Sequence, residues 1–166
     1  DAESRRRATV LASLRKALDR GEIRLVDQPR MALADGRITG VEALLRWNHP
    51  KRGLISPAEF IPVAEQTGLI LQLGAWVLEQ ACAQLVAWSA VPSTQRLSIA
   101  VNVSARQFRH SDFATQILSL LRTSGANPYR LKMELTESLL LSDIDDAIDK
   151  MGELRSIGVN FALDDF

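Results

Sequence analysis

The sequence predicts an α/β fold in which strands alternate with helices and close part of a barrel. Three observations carry this. From residue 97 onward, strand-like apolar runs alternate with amphipathic helical runs, which implies parallel strands joined by right-handed crossovers. Each strand run splits into a bulky apolar phase and a small or polar one. A sheet covered by helices on one face and facing a lumen on the other has this pattern. Near the ends of four runs, the polar phase carries an acid or amide: Glu42, Asn102, Glu134 and Asp164. Barrel enzymes place their chemistry at those strand ends.

The elements follow in order. Ala2 to Arg20 reads as an amphipathic helix, with Val10, Leu11, Leu14 and Leu18 as its stripe and Gly21 as its stop. Residues 1–20 are thus a lead-in helix, and residues 21–166 the N-terminal part of a barrel domain. The helix either connects to an upstream domain or packs on its own domain. Ile23 to Leu33 is a short strand broken by Pro29. Asp35-Gly36 between apolar runs marks a hairpin into the next strand, Ile38 to Trp47. A helix starts at Ser56-Pro57-Ala58-Glu59, with Ser56 as N-cap and Glu59 closing a capping box. It ends near Gly68, and a longer helix runs from Ile70 to about Ser89. Strands at Leu97–Val103, Leu131–Thr136 and Val159–Asp165 then alternate with helices at Ser111–Thr123 and Ser142–Ile157. An open doubly wound sheet and a closed barrel both fit this order. The phases favour the barrel: Ile99, Val101 and Val103 oppose Ser98, Ala100 and Asn102, and the next two strands split alike.

Composition narrows the function. The chain has 166 residues, with 20 Lys and Arg against 20 Asp and Glu. Zero net charge argues against a nucleic-acid polymer as partner, but not against a small anion held by a few placed cations. The lone Cys82 rules out an internal disulfide and fits a reducing, cytoplasmic compartment. No signal peptide is visible, and Gln72, Glu79, Gln80 and Gln84 make the longest apolar helix too polar to span a bilayer. A membrane anchor elsewhere in a longer parent is compatible with this.

Glu42, Asn102, Glu134, Asp164 and Asp165 are all hard oxygen donors, without thiolate or imidazole, which favours magnesium or manganese over zinc. Adjacent aspartates can hold two ions, a recurrent arrangement for phosphodiester hydrolysis. Any one of these acids alone would more simply cap a helix or meet a lysine. Their shared phase on separate strands shifts the balance towards metal.

The run Glu42-Ala43-Leu44-Leu45-Arg46-Trp47 with His49-Pro50 resembles the signature of EAL domains, bacterial phosphodiesterases that cleave cyclic di-GMP to linear pGpG. Gln28-Pro29, Ser56 to Pro62, Val101 to Phe108, Glu134 to Ser138 and Asp164-Asp165-Phe166 extend the likeness from about Arg20 to Phe166. The resemblance implies a TIM-like barrel with its first strand antiparallel, of which about five of eight strands are present. It implies that Glu42, Asn102, Glu134 and Asp164 ligate metal, with Asp165 serving a second ion. Glu42, Asp164 and Asp165 would be catalytic. Arg46 would hold a ligand phosphate, Gln28 would read a guanine edge, and Arg106 would reach the ligand or serve the structure. Glu137 would support the loop after the Asp-Asp strand.

Two departures stand out. Asp27 replaces a usual aromatic, which predicts repulsion of an anionic ligand. The Gly-rich loop, the last three strands, the family's catalytic lysine and a further glutamate have no counterpart here. The chain alone is therefore expected to be incomplete and inactive, and to pair through open sheet edges as a homodimer or swapped assembly. Its parent is expected to carry an upstream signalling domain, for example GGDEF or a sensor. A non-catalytic cyclic di-GMP receptor is the alternative reading, and an unrelated metal-dependent barrel enzyme a third.

Overall fold

One sheet organises the chain in the strand order β1-β2-β4-β5-β6, with β3 pairing to β2 off this path. The structure, a computed structural model, describes residues 1–141 and 143–164, with Asp164 described by its backbone alone. The strands are β1 (Ile23–Met31), β2 (Ile38–His49), β3 (Gly53–Ile55), β4 (Ser98–Val103), β5 (Leu131–Thr136) and β6 (Asn160–Asp164). The helices are α1 (Ala2–Ala17), α2 (Pro57–Thr67), α3 (Leu69–Ser89), α4 (Ala105–Arg109), α5 (Phe113–Ser124) and α6 (Ile144–Ser156). Single 3-10 turns occur at Pro128–Arg130 and Glu137–Leu141. The β1–β2 pair is antiparallel, as the Asp35-Gly36 turn predicts, and β2, β4, β5 and β6 run parallel. This is the expected partial barrel.

The apolar phase faces the helices. Val41, Ala43, Ile99, Val101, Leu131 and Met133 are buried in one cluster with Val77 and Leu78 of α3, Ile117 of α5 and Leu154 of α6. A second cluster seals the other end: Val10 and Leu14 of α1 meet Trp47, Phe60 and Leu73. The α1 stripe is therefore buried against the sheet and α2. α3 is long and apolar enough to cross a membrane by length and composition, contrary to the sequence expectation. Eight of its residues are buried, among them Leu73, Val77 and Leu85, which makes it a core helix of this domain.

Four local expectations are corrected. β1 is not broken at Pro29: it continues through it, and Pro29 pairs with Val41. β1 is an edge of the described sheet, where a missing N–H costs least. A sixth strand, β3, is too short to have shown in the pattern. Ser56 caps α2 by accepting from Ala58 N at 3.2 Å, but Glu59 closes no box, because Arg52 takes its carboxylate at 3.0 and 3.1 Å. α5 and α6 begin later than the pattern implied, and α4 was not foreseen. Asp143, at φ 40°, caps α6 by accepting from Asp146 N. The expected start at Ser142 lies outside the described residues. Gly68, at φ 87°, both ends α2 and opens α3, a backbone conformation that L side chains rarely adopt.

Lys150 is a basic residue buried in the fold. Its Nζ donates to the carbonyls of Phe108 and His110 at 2.9 and 3.0 Å and meets Asp146 at 3.1 Å. It thereby ties α6 to the C-terminal end of α4, where a cation complements the carbonyl dipoles.

Gly40 sets the spacing of β2 and β4 just below the polar residues of the lumen. A Cβ there would lie 2.4 Å from the Ser98 carbonyl oxygen, which belongs to its register partner. Gly40→Ala is expected to cost about 1–3 kcal/mol, because backbone must shift to admit the methyl. Urea unfolding measures this, and an unchanged midpoint would show that β2 can lift off β4 freely.

Candidate functional site

The polar phase of the sheet assembles the site through register. Glu42 pairs with Ala100, two residues before Asn102. Asn102 pairs with Glu134, and Asp164 pairs with Thr136, two residues beyond Glu134. The four positions therefore climb the sheet diagonally, by about 6.6 Å for each two-residue step. Barrel strands tilt against the axis, so a diagonal across the ladder is level at the mouth.

Glu42, Asn102 and Glu134 come together as expected. Asn102 Nδ2 donates to Glu42 Oε2 at 3.1 Å. Between the carboxylates lies a residue the sequence reading missed. Arg30 Nη2 is 3.0 Å from Glu42 Oε1 and 2.9 Å from both oxygens of Glu134. Arg30 pairs with Gly40, so its side chain reaches the carboxylates from the N-terminal side of β2. The register of β1 shifts between Arg30 and Met31. Such bulges re-aim side chains, often beside functional sites. The available signal was phase: Arg30 alternates with Gln28 on the lumen side, and the supposed break at Pro29 hid it.

The electrostatics are unequal. Side-chain exposure is 21% for Glu42, 10% for Glu134 and 37% for Arg30. Burial pushes the Glu42 carboxyl up, but its hydrogen bonds from Arg30 and Asn102 outweigh this and hold it below the usual carboxylate range. Burial dominates at Glu134, and with the neighbouring Glu42 charge it raises that carboxyl despite the Arg30 contacts. Two carboxylates thus share one guanidinium, leaving a formal charge of −1 at a half-buried point.

That arrangement fits a hard cation. Three carboxylate oxygens already converge on one positively charged nitrogen. An amide completes a donor set without sulfur or imidazole, as magnesium and manganese prefer. Among the described residues the acids, histidines and cysteines alone form no cluster of three that could hold a metal ion. The Asp164 side chain and the whole of Asp165 lie outside the described residues.

The other candidates are placed as follows. Gln28 is the register partner of Glu42 and is exposed beside it. Arg46 shares the Glu42 phase and spends one N–H on the Leu45 carbonyl at 3.1 Å. Arg106 is occupied elsewhere: its Nη1 donates to the Glu65 and Gln66 carbonyls, capping the C-terminal end of α2. Of its two expected roles, the structural one accounts for this geometry. Glu137 is exposed at the first turn after β5, and the loop it is expected to support lies beyond the described residues. Asp27 pairs with Ala43 in the other phase and lines a cleft with Trp76 and Gln80 of α3. It is therefore not beside Gln28 on the lumen face, which removes the basis for the expected repulsion. A cavity of about 370 Å³ adjoins the site, with Asn102, Glu134 and Thr136 on its polar side and Leu44, Ile61 and Leu73 on its apolar side.

The chain is 42% identical over 169 aligned residues to the cyclic di-GMP phosphodiesterase PA2567 of Pseudomonas aeruginosa, covering 100% of this chain and 28% of that protein. It is 40% identical over 166 residues to the bifunctional diguanylate cyclase/cyclic di-GMP phosphodiesterase MucR of the same species, covering 100% of this chain and 24% of MucR. A solved structure of the PaMucR phosphodiesterase in complex with c-di-GMP superposes with a TM-score of 0.90 at 41% identity, covering 95% of this chain and 64% of that one. The chain thus spans about a quarter of the length of these two curated relatives. The family model of the EAL domain matches residues 11–166, and the chain belongs to the EAL domain family.

Proposed function

We propose that this chain is the N-terminal part of a metal-dependent phosphodiesterase domain that hydrolyses cyclic di-GMP to linear pGpG. The observation that carries the reading is the meeting of polar side chains from three strands: Glu42 and Glu134 share the Arg30 guanidinium, and Asn102 hydrogen-bonds Glu42. Glu42, Asn102, Glu134 and Asp164 would hold a magnesium or manganese ion, and Asp165 a second. Such ions, when bound, supply water activation and charge neutralisation at the phosphate. The chain's own residues orient the substrate. Arg46 would pair with phosphate oxygens through its planar fork. Gln28, lateral to Glu42, would hydrogen-bond a guanine edge. Glu137 would support the loop that follows β6. Residues 1–20 would link residues 21–166 to an upstream signalling domain in the cytoplasm. The exposed edges of β1 and β6 would meet further strands or a second copy.

The test is turnover of cyclic di-GMP by the intact protein with manganese, before and after chelation. Formation of pGpG that stops on chelation and returns with metal is expected. Tight binding of cyclic di-GMP without any turnover would transfer the assignment to the receptor reading. Absence of both would remove cyclic di-GMP as the ligand.

A further inference from the structure

We propose that Arg30 is a built-in counter-cation of the metal site, which holds the ligand carboxylates in place and must yield its position when a divalent ion enters. This rests on the reading of Glu42 and Glu134 as metal ligands. The two carboxylates repel each other, and in this half-buried setting neither is fully screened by water. The Arg30 guanidinium brings them within 3.0 Å of one nitrogen, Nη2. The ligands are therefore preorganised before any metal arrives.

The same contact makes Arg30 a competitor. Magnesium ligates oxygen at about 2.0–2.1 Å. An ion bound by these oxygens would sit too close to Nη2 for two positive charges to coexist. Binding is then an exchange of one cation for another. The apparent affinity falls by the fraction of time that Arg30 occupies the carboxylates. A monovalent ion gains little by such an exchange, since it brings no more charge than the guanidinium. A divalent ion also neutralises the charge that Arg30 leaves uncompensated. Arg30 thus sets an affinity threshold that favours divalent ions. The mouth side stays available, because Arg30 enters from the opposite end of the strands, at the level of Gly40.

The experiment is manganese titration calorimetry on the intact protein and on its Arg30→Gln and Arg30→Lys variants, with thermal unfolding of each in the absence of metal. Arg30→Gln is expected to bind manganese about tenfold more tightly, since the competing state is removed. Without metal it is expected to melt at lower temperature, because two carboxylates are left facing each other. Tighter binding with lower apo stability is a combination that a merely structural arginine would not produce. Arg30→Lys keeps a charge but loses the fixed fork, and is expected to fall between the two. It decides the matter if Arg30→Gln does not fold. Manganese binding by the wild type with no gain in either variant would overturn the competitor role while leaving the metal site standing. Absence of binding in all three chains would overturn the metal reading, and this proposal with it.

Discussion

Glu42→Ala is expected to abolish cyclic di-GMP hydrolysis by the intact protein, lowering kcat by about a thousandfold or more. The size of the effect follows from what Glu42 touches. One oxygen meets Arg30 at 3.0 Å, and the other accepts from Asn102 at 3.1 Å. Truncation removes an expected metal ligand. It also leaves the Asn102 amide without this acceptor and hands Arg30 wholly to Glu134. The charge left at the site then falls from −1 to neutral, which removes the electrostatic reason for a divalent ion to displace the arginine. Glu42→Gln separates these effects, because it keeps the shape and an acceptor for Asn102 but not the charge. It should fold as the wild type does and still fail to turn over. The checks are pGpG formation and, in parallel, manganese titration. Full turnover by either variant would refute the proposed role of Glu42.

The legible part of this site was its periodicity. Alternation in Ser98–Val103 and Leu131–Thr136 places Asn102 and Glu134 in the polar phase, and the structure pairs them directly. The hairpin at Asp35-Gly36 likewise fixes β1 antiparallel to β2. Two things were not legible. Register is a property of strand pairs, so nothing in one strand reveals that Glu42 stands opposite Ala100, two residues below Asn102. Arg30 was obscured for a different reason. Proline normally ends a strand, yet at an edge its missing donor is tolerated, and β1 runs on to place Arg30 among the acids. The partners of Arg106 were hidden because the Glu65 and Gln66 carbonyls lie 41 and 40 residues away on another helix. The Glu59 box failed for a similar reason: Arg52, from the turn between β2 and β3, takes the carboxylate in place of a backbone N–H. A charged partner makes the stronger bond.

Trp47→Ala is expected to give the largest loss of stability in the chain, about 3–5 kcal/mol. Trp47 lies on β2 in the phase opposite Glu42 and is 0% exposed. Its backbone pairs with Ile23 of β1 and Ile55 of β3, so it sits where three strands meet. Its ring lies edge-on to Phe60 of α2, with centroids 5.5 Å apart at 89°. Val10 and Leu14 of α1 and Leu73 of α3 belong to the same cluster. Its indole N–H donates to Glu22 at 3.0 Å. Alanine would leave a cavity lined by side chains of three helices, which cannot all close in on it fully. Trp47→Phe keeps most of the volume and loses the donor, so it should cost about 1–2 kcal/mol. Urea unfolding of the two variants separates packing from the hydrogen bond. The effect should also reach the site, because Arg46 adjoins Trp47 and Glu42 lies five residues earlier on the same strand. Manganese affinity of Trp47→Ala is therefore expected to fall along with its stability. A loss below about 1 kcal/mol would mean that α1 and α2 hold β2 in place without this side chain.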